Sequence, residues 1–398
     1  MNFLEKLLDG VAVEWKPLGE VCENISSGRN KNKSDVGIYP VFGSTGIIGR
    51  TNNKVYEKEQ ILVARVGANA GRVNIAQGEY DVSDNTLIIQ NKENIVLKYL
   101  YYILVNMNIN QFAKGAGQPL ITARQLKNIQ IPIPSLEEQE NPEKSLAIQA
   151  EIVRILDTFT ALTAELTAEL TDRKKQYNYY RDRLLTFEKG EVEWKPLGDV
   201  SLKSYSGGTP TAGTSEYYDG GTIPWLRTQE VKFSDIEKTE VKITPSALKN
   251  SAVKWIPENC VIVAISGATA GRSAINKIPL TTNQHCCCLE IDPEKALYRY
   301  VFHWVSLNYE NLKGLGQGAR GDLNSGIIKG FEIAIPYARD PQKSLEEQAR
   351  IVAILDKFDT LTTSIREGLP REIALRQKQY EYYRDLLLTF PKSEEVEA

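Results

Sequence analysis

Histidine is nearly missing from this chain of 398 residues: His285 and His303 are the two it has. So few imidazoles leave little for a His-based triad. The five cysteines are odd in number and show no C-x-x-C spacing, so neither a disulfide framework nor a zinc site is indicated. Cys286, Cys287 and Cys288 follow His285, but consecutive residues on a strand point to alternate faces, and the expectation is buried reduced thiols with no metal. There is no G-x-x-x-x-G-K-S/T phosphate loop, no H-E-x-x-H, and no Asn/Asp-Pro-Pro-aromatic motif of amino-methyltransferases. No apolar run reaches membrane-spanning length, and the start, MNFLEKLLDG, lacks a signal-peptide core. The expected location is therefore the cytoplasm, with no membrane partner. Charge of one sign is lacking too: a net charge of -3 and a pI near 5.8 do not announce a nucleic-acid binder. One G-x-G-x-x-G does occur, Gly316 to Gly321, with Asp340 about twenty residues on, as a dinucleotide site would have. It follows the helical LYRYVFHWVSLNYENL instead of a strand, and the first half of the chain has GAGQPL in its place, which argues against that use.

What is present is a long helix. From Leu146 to Phe187, apolar residues fall at Ile148, Ile152, Ile155, Phe159, Leu162 and Leu166, then after an offset at Leu170, Tyr177, Tyr180, Leu184 and Phe187. Steps of three and four mark a coiled-coil seam. Such a helix is roughly 60 Å long and needs a partner helix to cover it. Leu345 to Phe390 supplies one: ILDTFTALT returns as ILDKFDTLT, and RKKQYNYYRDRLLTF as RQKQYEYYRDLLLTF.

The whole chain is a tandem repeat with a period near 200, long enough for two or three domains. VEWKPLGEV (Val13 to Val21) returns as VEWKPLGDV (Val192 to Val200), and VGANAGR (Val66 to Arg72) as SGATAGR (Ser266 to Arg272). Each half continues with a tyrosine-rich amphipathic helix (from Leu97; from Leu297), a Gly-Gln loop (from Lys114; from Lys313), a short strand ending in proline, and the long helix. FLEKLLDGVAVEW at the start resembles the end of a long helix with its exit, so it is expected to complete the structure left open at Phe390. Between these shared segments the halves diverge. GRNKNKSDVGIYPVFGSTGIIGR in the first and YSGGTPTAGTSEYYDGGTIPWLRTQEV in the second do not align, although both favour small twisted sheets with polar loops. Residues 22 to 135 hold 13 Lys/Arg against 8 Asp/Glu, about +5; residues 200 to 339 hold 15 against 13, about +2; residues 137 to 190 hold 8 against 11, about −3. The positive charge thus sits between the helices, a modest asymmetry.

The tandem halves, the paired ILD-F-LT/KQY-YYRD helices, the VEWKPLG segment and above all the doubled Thr-Ala-Glu-Leu of Thr163 to Leu170 resemble the DNA-specificity subunit of a type I restriction-modification enzyme, most of all its type IC branch. The resemblance covers essentially the whole chain. It implies an α+β fold: two mainly β target-recognition domains separated by two long helices packed as an antiparallel coiled coil, related by a pseudo-twofold axis in a circularly permuted repeat. The corresponding boundaries are 1–21 for an N-terminal shared segment, 22–135 for the first reader, 136–191 for the central helical spacer, 192–339 for the second reader and 340–398 for the C-terminal spacer. It further implies that each reader recognises one half of a split site in double-stranded DNA. Two methyltransferase subunits dock on the helical regions, with Tyr177, Tyr180, Tyr380 and Tyr383 as contacts, and restriction subunits join them. AdoMet, Mg and ATP then belong to the partners, and this chain is a non-catalytic adaptor without a cofactor of its own.

Sequence is read at base edges by Arg, Lys, Asn, Gln, Ser and Thr held on loops, while Lys and Arg on phosphates fix register. The candidates in the first reader are Arg29, Lys31, Lys33, Ser44, Thr45, Arg65, Asn69, Arg72, Gln118 and Arg124. In the second they are Thr209, Thr211, Arg227, Thr228, Gln229, Thr269, Arg272, Asn283, Gln284, Gln317 and Arg320. Thr163, Leu166, Thr167 and Leu170 mark the four-residue repeat, read as a removable spacer. The residues leave other readings open: turn geometry alone for the recurring glycines, a plain strut for the helices, an orphan modification subunit without restriction partner, or a β-domain rod that binds carbohydrate or protein.

Overall fold

The structure, a computed structural model, describes residues 3–31, 34–115, 117–135, 142–188, 190–318, 321–364 and 367–390. It divides into two compact units, Met1–Glu165 with Ile373–Ala398, and Leu166–Glu372. The division cuts the long helix inside the doubled Thr-Ala-Glu-Leu, so each unit holds one sheet-rich half of the repeat together with part of each helical region.

In the first unit the central sheet runs in the order Cys22–Ser27, Thr86–Asn91, Gln60–Ala64, Val73–Ala76, all antiparallel. Its inner strands are buried on both faces, which is why ILVA and TLII carry no polar alternation. Ile61, Val63, Leu87 and Ile89 point into the main core, while Leu62 and Ile88 point into a smaller core beneath a three-stranded sheet of Tyr39–Gly43, Gly46–Thr51 and Asp81–Val82. The second unit repeats the plan with Ser201–Tyr205, Cys286–Ile291, Val261–Ala264 and Ser273–Asn276, and adds Asp235–Ile236 at the edge. Cys287 faces one core and Cys286 and Cys288 the other, so the thiols alternate as strand geometry requires. Burial pushes the Cys286 thiol up to about 12, which keeps it protonated.

The VEWKP segments are strands. Ala12–Pro17 pairs antiparallel with Gln130–Ser135, and Val192–Pro196 with Glu332–Pro336. The tyrosine-rich helices Leu97–Asn106 and Tyr298–Leu307 lie between ribbon and sheet, and each sends one buried tyrosine to the ribbon: Tyr99 Oη donates to the Pro132 carbonyl and Tyr300 Oη to that of Ala334, both at 2.8 Å. The start of each helix is held from the spacer. Gln149 Oε1 accepts from the Val96 amide and Gln348 Oε1 from the Leu297 amide, both at 2.9 Å, and both glutamines are fully buried. The short N-terminal helix Phe3–Leu8 closes the first unit: Leu4 and Leu8 share a core with Leu387, Leu388 and Phe390.

The central helix runs unbroken over Pro142–Leu184. Its most buried stripe is Ile148, Ile152 and Leu156, which serves the reader core; Ile155, Phe159 and Leu162, on the expected seam, are half-buried. Phe159 stacks on Tyr383 at 5.2 Å in the first unit, and Phe358 on Tyr180 at 5.5 Å in the second. The C-terminal region differs from the expected single helix: it forms two, Pro341–Thr363 and Leu369–Leu388. Gly368 and Pro370 are the cause. A Cβ on Gly368 would lie 2.3 Å from the Thr360 carbonyl oxygen, and Pro370 has no amide to continue a helical ladder.

Candidate nucleic-acid interface

In each unit three segments meet at the start of the inner strand that follows the second shared motif. In the first unit the Arg65 amide and Ser44 Oγ both donate to the Asn85 carbonyl at 2.9 Å, while Arg65 Nη1 reaches the Asp84 carbonyl at 3.4 Å. The Gly28 amide donates to the Thr86 carbonyl, and the Arg29 and Asn30 amides to that of Val82, all at 3.0 Å. Gly28 is required there: a Cβ would stand 2.3 Å from the Val82 oxygen. In the second unit the Ile265 amide donates to the His285 carbonyl at 2.8 Å and the Gly208 amide to that of Thr282 at 2.9 Å. The neighbouring Gly207 is pressed so close to Thr282 that a Cβ would meet its carbonyl oxygen at 1.6 Å. The two shared turns are superposable bond for bond. Ala64 and Ala264 donate to Arg72 and Arg272, Gly71 and Gly271 to Ala64 and Ala264, and Arg72 and Arg272 to Asn69 and Thr269.

The same backbone therefore presents different side chains. Around the first junction stand Arg29, Ser44, Thr45 and Arg65, with the Gly-Gln loop tied in where the Gly67 amide donates to the Pro119 carbonyl at 2.9 Å. Around the second stand Thr209 and Gln284, joined by Thr209 Oγ1 donating to Gln284 Oε1 at 2.6 Å. Arg29, Lys31, Thr45, Arg72, Gln118, Arg124, Thr209, Thr211, Gln229, Gln284 and Gln317 are exposed. Lys33 and Arg320 lie outside the described residues. Several other candidates have internal work. Asn283 is buried and its Oδ1 accepts from the His285 amide at 3.0 Å. Arg227 pairs with Glu240 at 2.7 Å, beside Thr228 and Gln229 in a single 3-10 turn. Asn69 and Thr269 close their turns. Tyr180 and Tyr383 spend a face on Phe358 and Phe159, and Tyr177 and Tyr380 lie against the reader cores. Tyr180 is nonetheless 40% exposed, and the neighbouring Tyr179 and Tyr382 are more exposed still, at 58% and 65%. Asn85, Ser266, His285 and Asp322 are at the junctions yet absent from the sequence candidates. The signal for them was their fixed distance from the glycine motifs, Asn85 thirteen residues after Arg72 and His285 thirteen after Arg272. Among the described residues no group of three or more His, Cys, Asp or Glu is placed to hold a metal ion, and no helix is long and apolar enough to cross a membrane.

Residues 11–173 and 189–375 each match the type I restriction modification DNA specificity domain. The chain belongs to that family. Among its relatives in this specificity family, the EcoR124I/EcoR124II specificity subunit of Escherichia coli is 42% identical over all of this chain and 99% of its own length. The EcoprrI specificity subunit, also from Escherichia coli, is 30% identical over 92% of each. The fold is that of a type I system S subunit from M. genitalium, matched with a TM-score of 0.64 at 16% identity over 97% of this chain and 98% of that one. The chain is a specificity subunit of the type I restriction-modification kind, a family for which reading a bipartite DNA site is standard.

Proposed function

We propose that the two junctions are the base-reading centres, one for each half of a bipartite duplex site, and that the helical regions act as an antiparallel coiled coil that sets the gap between them and docks two methyltransferase subunits. The observation that carries this reading is the doubled frame: matched backbone hydrogen bonds at both junctions with unmatched side chains upon them. A rigid loop platform whose contents vary is what direct readout asks of a protein, since base edges are told apart by donors and acceptors held in place. The chain supplies recognition and no chemistry. AdoMet, Mg and ATP are assigned to partner subunits, restriction subunits complete the assembly, and the complex works on DNA in the cytoplasm.

Methylation mapping in cells that express this chain with its methyltransferase partner tests the reading. The expected result is one bipartite motif with an unspecified gap; methylation without such a motif overturns it.

A further inference from the structure

We infer that Ser266 and His285 read sequence in the second unit, in one hydrogen-bonded row with Thr209 and Gln284. The inference rests on the reading that the second junction faces DNA. Thr209 Oγ1 donates to Gln284 Oε1 at 2.6 Å, which fixes the amide so that Nε2 faces His285. That nitrogen lies 3.2 Å from His285 Nε2. An amide nitrogen only donates, so His285 Nε2 accepts and the ring proton is on Nδ1. Nδ1 in turn lies 2.8 Å from Ser266 Oγ, to which it donates. Donation runs one way along the row, and its far end is a serine whose own hydroxyl hydrogen remains to be given.

Three observations make this row more than a surface network. Gln284 and His285 are exposed while Asn283 on one side and Cys286 on the other are buried, so the strand turns these two outward together at its mouth. The row joins three separate segments, the loop after Ser201–Tyr205, the mouth of Cys286–Ile291 and the first residue of the SGATAGR turn, and each is anchored by its own backbone bonds. In the first unit the matching slot holds Asn85, at the same backbone bond, with Arg65 in place of Ile265. The frame is therefore kept while the side chains on it change, from Arg65 and Asn85 to Ile265 and His285. Side chains ordered before any ligand arrives lose little entropy on contact, which favours discrimination.

The test uses the complete methyltransferase complex carrying the full chain, with methylation mapped for wild type, Ser266→Ala, His285→Asn and His285→Gln. The expected result is that base preference at one or two positions of one half-site falls by about tenfold or more, the scale of a lost specific contact, while the other half-site stays as in wild type. The unaltered half reports that chain and complex are assembled. If His285→Asn gives no methylation at all, Ser266→Ala and His285→Gln decide. Methylation by these variants at the wild-type motif with wild-type strictness in both halves overturns the inference. A wild-type complex with no bipartite motif instead overturns the proposed function beneath it.

Discussion

At the scale of single residues, the joint between reader and spacer is built twice with different side chains. In the first unit Asp157 takes Lys98 at 2.6 Å and the Tyr102 hydroxyl at 2.6 Å. In the second, Asp356 takes Arg299 at 2.7 Å and His303 Nε2 at 2.7 Å, and Arg299 also reaches Asp235 and Asp359. Exposure separates the two: Lys98 is 46% exposed and Arg299 14%. Water screens the first pair and leaves it worth under about 1 kcal/mol, whereas losing Asp356 takes from a largely desolvated guanidinium the carboxylate that accepts most of its hydrogen bonds and leaves it Asp235 and the longer contact to Asp359. Asp356→Asn should therefore cost about 2 kcal/mol, a buried-pair loss discounted for its partial exposure, and Asp157→Asn less than half of that. Paired chemical denaturation of the two variants checks the order, and an equal loss in both would contradict it. The acid behaviour follows from the same cluster. Burial pushes the Asp356 carboxyl up, but hydrogen bonds from His303 and Arg299 outweigh that and hold it below its ordinary 3.8. A carboxyl depressed in the folded state contributes stability above its unfolded value and loses it as pH falls through the folded one. The gap between wild type and Asp356→Asn should hold from neutral pH down to about pH 4 and close below it. Asp359, raised by burial despite Arg299, takes up its proton earlier and favours the folded state as it does so, which softens the acid loss.

At the scale of elements, the doubled Thr-Ala-Glu-Leu lies in unbroken helix between two ring stacks, Phe159 on Tyr383 and Tyr180 on Phe358. Leu162, Leu166 and Leu170 recur every four residues and are half-buried, while Glu165 and Glu169 are exposed. Removing one copy therefore puts a leucine where a leucine was. Four residues are roughly 6 Å and about 40° of helix, against base pairs stacked about 3.4 Å apart. Deleting Thr167 to Leu170, or adding a third copy, should shift the unspecified gap by about one base pair and leave both half-sites readable; mapping the methylated motifs of one-, two- and three-copy chains measures this. Glu165→Gln with Glu169→Gln should leave the motif unchanged. Much of this level was legible in the sequence, because the repeat is written in spacing: the helices, the proline-ended strands and the second glycine motif stand where periodicity put them. The helix break was less legible, since Gly368 and Pro370 sit inside a matching apolar pattern that dominates the eye. Leu156 is absent from the expected seam for a related reason: one helix serves a core and a seam at once, and Ile148 and Ile152, counted with the seam, pack with Leu156 in the core. The two junctions were the least legible, because they are made by hydrogen bonds between segments far apart in the chain, such as Ser44 to Asn85.

At the scale of the whole molecule, each unit has cores of its own: among the described residues one gathers Leu18, Ile61, Tyr99 and Ile152, another Leu197, Val263, Tyr300 and Leu355. Purified alone, the chain should bind DNA weakly and transfer no methyl group from AdoMet, because a net charge of -3 releases few counterions and the reaction is assigned to its partners. Methyl transfer by the isolated chain would contradict this. Separate cores also make the readers exchangeable. Replacing residues 22 to 135 with the matching segment of a relative leaves Gln149 and Asp157 behind on the spacer, so the incoming helix must offer a free amide at its start and partners for that carboxylate at the positions of Lys98 and Tyr102. A backbone amide is available in any such helix, whereas the carboxylate's partners are a matter of side chains. Exchanges that keep Lys or Arg at 98 should fold as wild type does, and those that place an acidic residue there should lose stability even with an intact reader. In a folded exchange, one half of the methylated motif should change and the other should not, since nothing in the second core has moved. If both halves changed together, separate cores would not mean separate readers.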